Sequence, residues 1–460
     1  MINKNYFFIQ NCLFVVIFFI YVPQIFPQHT KTNKMSCLKQ PKESLDTSIE
    51  MLLHQGADIL VPDKKGFSAL DYATANCNVV LRRLLLDSMV VMAVPQEQFA
   101  SDISLGIVDL KFDGQTLKIC ELGEGPRSMF RGFDKLYRQG RVWHMLWHFF
   151  SCLNLMPWMI VNCLSNDIRL ENALVEYEAL GGGYARDLPA LSENEIFINC
   201  LKSVHSGDYF ADYNAIIMMK NSGYRDGSVR IFKKKHPKAL ILCETLGPFG
   251  NSKLVMSSLF TSDEELKKYR PKCMVIPKKY SRKLAKKVAD TLEGDCFVIK
   301  PINSSKGNGV IMVKRRDLFQ TLRKILKDPS RLPDIKDPTY GYWLRDRNKH
   351  FLIEEYAPSK LITVETKKYD ATMRVIYVLF CDKGKIGITF LGAYWKLPAK
   401  SISESGLLTE KYKSCIKPDK IGAAIVDGKD YEKVTGILRK VLPMAYIKML
   451  QEREIYFKKW

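Results

Sequence analysis

Apolar positions along this chain fall into short runs, with turn-forming residues between them. In the second half the pattern is clearest. Met274–Pro277 closes an apolar run that reads as a strand. Ser281–Leu292 follows, with Leu284, Val288 and Leu292 on one stripe of a basic amphipathic helix. Cys296–Ile299 and Val310–Val313 are too short for helices and are bounded by Pro and Gly, so they predict two strands joined by a flexible hairpin. Phe351–Ile353, Tyr369–Phe380 and Ile386–Leu397 predict three more strands. Tyr431–Trp460 predicts a helical region interrupted near Pro443, because proline lacks the amide a helix interior needs.

The first half is less regular. Leu117–Leu122 reads as a strand ending in a Gly123, Gly125, Pro126 turn. Trp143–Leu164 is strongly apolar, but His144, His148, Asn154 and Asn162 favour a buried helical pair over a membrane span. His144 and His148 could face one metal, yet no HExxH pattern or third ligand accompanies them, and they read as structural. The run LGGGYAR over Leu180–Arg186 fits no phosphate-binding glycine pattern and reads as a loop. Ala239–Cys243 reads as a buried strand before Gly247–Gly250, and 100–265 as an α/β domain. Within 48–86, Gly56 ends a helix, GFSALDYA follows at Gly66–Ala73, and Val79, Val80, Leu84 and Leu85 share a helical face. This segment resembles about one and a half ankyrin repeats, with Ser68, Ala69 and Asp71 where the repeat has Thr, Pro and His. The resemblance implies a small helical unit over 45–90 and a protein partner for it.

Composition narrows the class. With 460 residues, 47% of them apolar and 26% charged, the chain has room for two or three globular domains. The net charge of +21 favours anionic partners without choosing among them. Nucleic acid ranks last, because no aromatic platform or known module accompanies the basic residues. The twelve cysteines have no CxxC pairing, which argues for a reducing compartment and against structural zinc. The leader points elsewhere: Tyr6–Ile25 is apolar and about long enough to cross a bilayer. Two readings of 1–34 stay open, an uncleaved membrane anchor and a mis-set start with translation from Met35 in the cytoplasm.

The most informative stretch is CFVIKPINSSKGNGVIMV, Cys296–Val313. Gly307 and Gly309 let the backbone take positive φ, and exposed amides with Lys300 and Lys306 nearby make a phosphate cradle. Downstream, Phe351–Ile353 runs into Glu354-Glu355-Tyr356-Ala357, the next strand carries Asp370 and Arg374, and a later one carries Lys396. An arginine on so apolar a strand needs an anion, either Asp370 or a phosphate. This ordered set resembles the ATP-grasp superfamily over about Met274 to Lys417. The resemblance implies an α+β fold, with a two-lobed nucleotide-binding domain over 266–460 preceded by the α/β domain and the ankyrin-like segment. It also implies ATP and Mg2+ as cofactors and a ligase joining a carboxylate substrate to an amine through an acyl phosphate.

The family likeness carries residue roles with it. Lys300, with Lys278 as a weaker second, would hold the α/β-phosphates. The loop Ser304, Ser305, Lys306, Gly307 and Gly309 would close over the β/γ-phosphates. Glu354, Glu355, Tyr356 and Ala357 would form the hinge that reads adenine and ribose. Arg374 and Lys396 would act in catalysis. The family's E-x-N metal pair is missing after Lys396, leaving Glu404 and Asp427 as weak metal candidates. That gap supports an alternative: a non-catalytic interaction protein with a degenerate nucleotide-binding domain.

Overall fold

The computed structural model describes residues 83, 86–96, 98–124, 131–137, 141–153, 155–160, 183–185, 209–218, 228–250, 252–304, 307–327, 338–414 and 422–458. The leader, nearly all of the ankyrin-like segment, the LGGGYAR loop apart from Gly183–Ala185, and Ser305 and Lys306 lie outside the described residues. In chain order the strands are β1 (Val90–Ala93), β2 (Asp102–Phe112), β3 (Leu117–Glu124), β4 (Met156–Ile160), β5 (Gly183–Ala185), β6 (Ala215–Met218), β7 (Ala239–Ile241) and β8 (Cys273–Pro277). There follow β9 (Cys296–Pro301), β10 (Ile311–Lys314), β11 (His350–Glu355), β12 (Leu361–Val364), β13 (Lys367–Asp370), β14 (Thr372–Asp382), β15 (Lys385–Lys396) and β16 (Ala423–Ile425). The helices that bear on the site are α1 (Arg141–Cys152), α2 (Lys253–Thr261), α3 (Leu284–Thr291), α4 (Leu318–Leu326), α5 (Pro338–Arg345) and α6 (Gly428–Lys458).

Four sheets organise these elements. The largest runs β1-β15-β14-β2-β3, with β16 paired to β15. A second, antiparallel sheet runs β10-β9-β11-β8, and β12 and β13 form a separate hairpin. The fourth, β5-β4-β6-β7, is parallel. In the largest sheet β2 is buried along its whole length, which is what a strand covered on both faces requires. Its Ile103, Leu105 and Ile107 pack with α1 and the parallel sheet, while Val108, Leu110 and Phe112 pack with α6. A third core, built from Phe297, Ile299, Phe351 and Ile353, lies beneath α3, α4 and α5.

This sheet joins distant parts of the sequence. Strands β2 and β3 pair beside β14, so residues on both sides of position 266 build one structure. Three expectations are corrected. Trp143–Leu164 is not a helical pair: α1 stops at Cys152, and Met156–Ile160 is a strand between β5 and β6. Pro157 cannot extend a helix, and parallel pairing on both sides takes the residues that follow. Tyr369–Phe380 is two strands, because Asp370 closes the hairpin with β12 while Thr372 onward pairs with β2 and β15. The helix is not interrupted at Pro443, which lies inside α6. Val434, Leu438, Val441, Leu442 and Tyr446 are buried in one core on both sides of the proline. That packing outweighs the roughly 3 kcal/mol an interior proline costs.

Candidate functional site

One face of the large sheet is apolar along most of its length and turns polar at the end. There Arg374 on β14 stands opposite Asp109 on β2, and Asp109 stands opposite Glu121 on β3. The Arg374 guanidinium donates to both carboxylate oxygens of Asp109, at 2.7 and 2.8 Å. Lys396, reached across β14 and β15, donates to the same carboxylate at 2.6 Å. All three side chains are buried. Burial alone would raise the Asp109 pKa, but Arg374 and Lys396 overcome it and hold the carboxyl well below the usual range. Burial first, and then the neighbouring Arg374, push the Lys396 pKa down. Asp370, the partner expected within the strand, binds Lys111 instead, at 2.6 Å, and accepts from the Tyr356 hydroxyl. The sequence offered Asp370 because it is near; the antiparallel register brings Asp109.

A second centre has the same design. On β9 the burial alternates, so Phe297 and Ile299 face the helices and Lys300 faces the other way. Lys300 donates to Glu354 of β11, and Arg270 donates to the other Glu354 oxygen at 2.7 Å. Burial would raise the Glu354 pKa, yet Lys300 and Arg270 pull it below the ordinary value. Arg270 also donates to the carbonyls of Ile119 and Cys120, which ties this centre to β3. Lys253, at the start of α2, approaches Glu121 to 3.8 Å and donates to the carbonyl of Ser304. Burial pushes the Lys253 pKa down; Glu121 opposes the shift and nearby Lys300 adds to it. Lys253, Arg270, Lys300, Arg374 and Lys396 therefore face Asp109, Glu121 and Glu354. Five cations meet three carboxylates, and one of those, Glu121, is 45% exposed. Such an excess in a poorly solvated place calls for an anion.

The hairpin between β9 and β10 lies at the edge of this cluster. Gly307 and Gly309 have φ of +69° and +72°. At Gly309 a Cβ would come within 2.6 Å of Pro301 and 2.8 Å of Tyr342. The Trp343 indole donates to the Gly309 carbonyl at 2.8 Å, and Lys413 donates to the Gly307 carbonyl at 2.8 Å. The buried Ser304 hydroxyl turns back to the Pro301 carbonyl at 3.3 Å. At the hinge, the amides of Glu355 and Tyr356 donate to the carbonyls of Lys272 and Cys296, both at 2.9 Å. The Glu355 side chain accepts from the Glu293 amide at 2.8 Å. Tyr356 packs its ring on Tyr412, with centroids 5.2 Å apart. No hydrogen bond engages the Ala357 amide among the described residues.

Some expected residues sit elsewhere. Lys278 binds Asp346 at 2.7 Å and lies over Trp343, whose side chain belongs to the core beneath the helices. Glu404 accepts from the Ser401 amide at 2.6 Å and pairs with Lys367. Those bonds, the Ser401 backbone first, lower its pKa to about 2. Asp427 accepts from the Asp430 amide at 2.9 Å and pairs with Lys360. Among the described residues no three His, Cys, Asp or Glu side chains gather as metal donors. The cluster's own carboxylates stand in separate pairs with lysine or arginine and not as one gathered set, so the described residues do not form the oxygen cage that magnesium takes. Asp109, Lys111, Glu121, Lys253 and Arg270 were missed in the sequence. The signal that could have found two of them is a charge at Asp109 and Lys111 in an otherwise strand-like apolar run.

No protein-family profile and no curated protein matches the chain. Solved structures do show some likeness. A D-cycloserine synthetase is 12% identical, with a TM-score of 0.34 over 65% of this chain and 82% of that one. A putative gamma-glutamylcysteine synthetase from Methylobacillus flagellatus is 10% identical, with a TM-score of 0.42 over 83% and 95%. D-alanyl-alanine synthetase A from Vibrio cholerae is 10% identical, with a TM-score of 0.34 over 65% and 81%. Scores this low leave the function to be read from the side chains.

Proposed function

We propose that this chain is an ATP-dependent ligase that joins a carboxylate to an amine. The observation that carries the reading is the pair of shared-carboxylate centres, Asp109 with Arg374 and Lys396, and Glu354 with Arg270 and Lys300. The glycine hairpin at their edge brings backbone close to the cluster, where its amides can cradle phosphate. In this reading Lys300 and Lys253 take the phosphate chain, which replaces part of their present pairing. Ala357 offers its amide to the adenine edge.

The chemistry needs charge compensation more than covalent help from the protein. An oxygen of the substrate carboxylate attacks the γ-phosphorus, the bond to the β-phosphate oxygen breaks, and ADP leaves. The amine nitrogen then attacks the acyl carbon, inorganic phosphate departs, and the nitrogen loses a proton. Arg374 and Lys396 would lie against the oxygens that gain charge in both steps. Asp109 would hold those two cations in place.

A second reading is a nucleotide binder without turnover. It is favoured by the sequence after Lys396, which lacks the E-x-N pair that the family resemblance implies for magnesium. Incubation with ATP and mixed pools of carboxylic acids and amines separates the two. The ligase reading expects ADP and phosphate to appear only with both co-substrates present. Nucleotide binding with no ADP under any pool would select the second reading.

A further inference from the structure

A strongly charged face lies on the far side of the second sheet. Helices α3 and α4 pack on the surface of that sheet opposite to Lys300 and Glu354. They run antiparallel, side by side. Arg315, just before α4, donates to the carbonyls of Ala289, Leu292 and Gly294 at the end of α3. Lys327, just after α4, lies over the ring of Tyr280, just before α3. This places the start of α3 beside the end of α4. Lys283, Lys286 and Lys287 therefore stand beside Arg323, Lys324 and Lys327, all exposed. None of these six side chains makes a hydrogen bond or an ion pair among the described residues, although Lys327 contacts the Tyr280 ring.

On α3 this charge does not serve the fold. The first turn of α3 holds no acid, and its Lys283 N-cap makes no side-chain cap bond. Cations there oppose the helix dipole. On α4 the cations lie in the last turn, where the dipole favours them, so the cost is carried by α3 alone, and it points outward, to a partner. We infer that the outer face of α3 and α4 is a docking surface for an anionic lipid bilayer. Three observations choose the bilayer over a polymer. The cations are mostly lysines, point charges that read no shape. Among the described residues no fully exposed aromatic ring lies between the lysines: Tyr280 is half-buried under Lys327, and Phe319, 37% exposed and one turn before Arg323, can enter the lipid interface. Both helices cover the sheet face away from Lys300 and Glu354, so a bilayer would leave the charge cluster uncovered, whereas a substrate polymer held here would be on the wrong side of the sheet.

The test is co-sedimentation of the full chain with vesicles, without nucleotide, so it is independent of the ligase reading. One set is phosphatidylcholine, and the other contains about 30 mol% phosphatidylserine, at about 0.1 M salt. Partition onto the anionic vesicles should exceed that onto neutral ones by about tenfold or more and fall away as salt rises. Substituting Lys283→Gln, Lys286→Gln, Arg323→Gln and Lys324→Gln together should remove about tenfold of that preference and leave thermal unfolding and nucleotide binding unchanged. Replacing Lys267, Lys268, Lys272 and Lys433, exposed cations outside this face, should change it little. Equal partition of wild type and the face variant would overturn the inference. So would tighter capture by polyglutamate or duplex RNA, lost in the same variant.

Discussion

Asp109 shows how much one residue can decide here. It is buried on a strand interior, where a lone carboxylate would be costly, and it is kept charged by Arg374 and Lys396. Replacing it by asparagine would leave two buried cations sharing a neutral amide. Asp109→Asn should therefore cost about 3–5 kcal/mol of stability. Its pKa lies below the ordinary value in the folded state, so its contribution is complete above the unfolded value, about pH 4, and fades as pH falls through the lower folded one. Urea unfolding should thus show the variant and wild type converging below about pH 4. A gap that stays constant down to about pH 2 would contradict this. In the sequence, the β9–β10 hairpin and its two positive-φ glycines could be read because turn chemistry is local. The partner of Arg374 could not, because Asp109 lies 265 residues away and only strand register joins them.

At the scale of elements, the β9–β10 hairpin is fixed by bonds from outside it, not by its own turn alone. Trp343 holds Gly309 and Lys413 holds Gly307 through their carbonyls. Gly309→Ala would meet Pro301 and Tyr342 and keep an L-residue at positive φ. It should cost about 1–3 kcal/mol in chemical denaturation and weaken nucleotide binding as well. A variant as stable as wild type with unchanged binding would refute the close-packed lid. Apolar runs located most strands here, since alternation is a local property. They misjudged Trp143–Leu164 and Pro443 because tertiary pairing and packing decided those cases.

For the whole molecule, the central fact is that β2 lies between β14 and β3. The cluster takes Asp109 and Glu121 from one end of the described chain and Arg374 and Lys396 from the other. A fragment of residues 266–460 should therefore fail to give a cooperative thermal transition, because it lacks the strand that pairs with β14. A soluble, cooperatively folding fragment would show that β2 and β3 are an accessory. The composition carried the excess of positive charge but not where it concentrates, since neither the five-cation cluster nor the α3–α4 face is contiguous in sequence.

The most direct measurement is calorimetric titration of ATP into the full chain and into Lys300→Ala. Wild type should bind with release of heat that saturates at one nucleotide per chain. The variant, which leaves Glu354 its Arg270 partner and so keeps its fold, should bind about a hundredfold more weakly, as expected for loss of a charge-assisted contact to phosphate. Equal affinities, or no binding by wild type at millimolar nucleotide, would contradict the assignment of this charge cluster to a triphosphate.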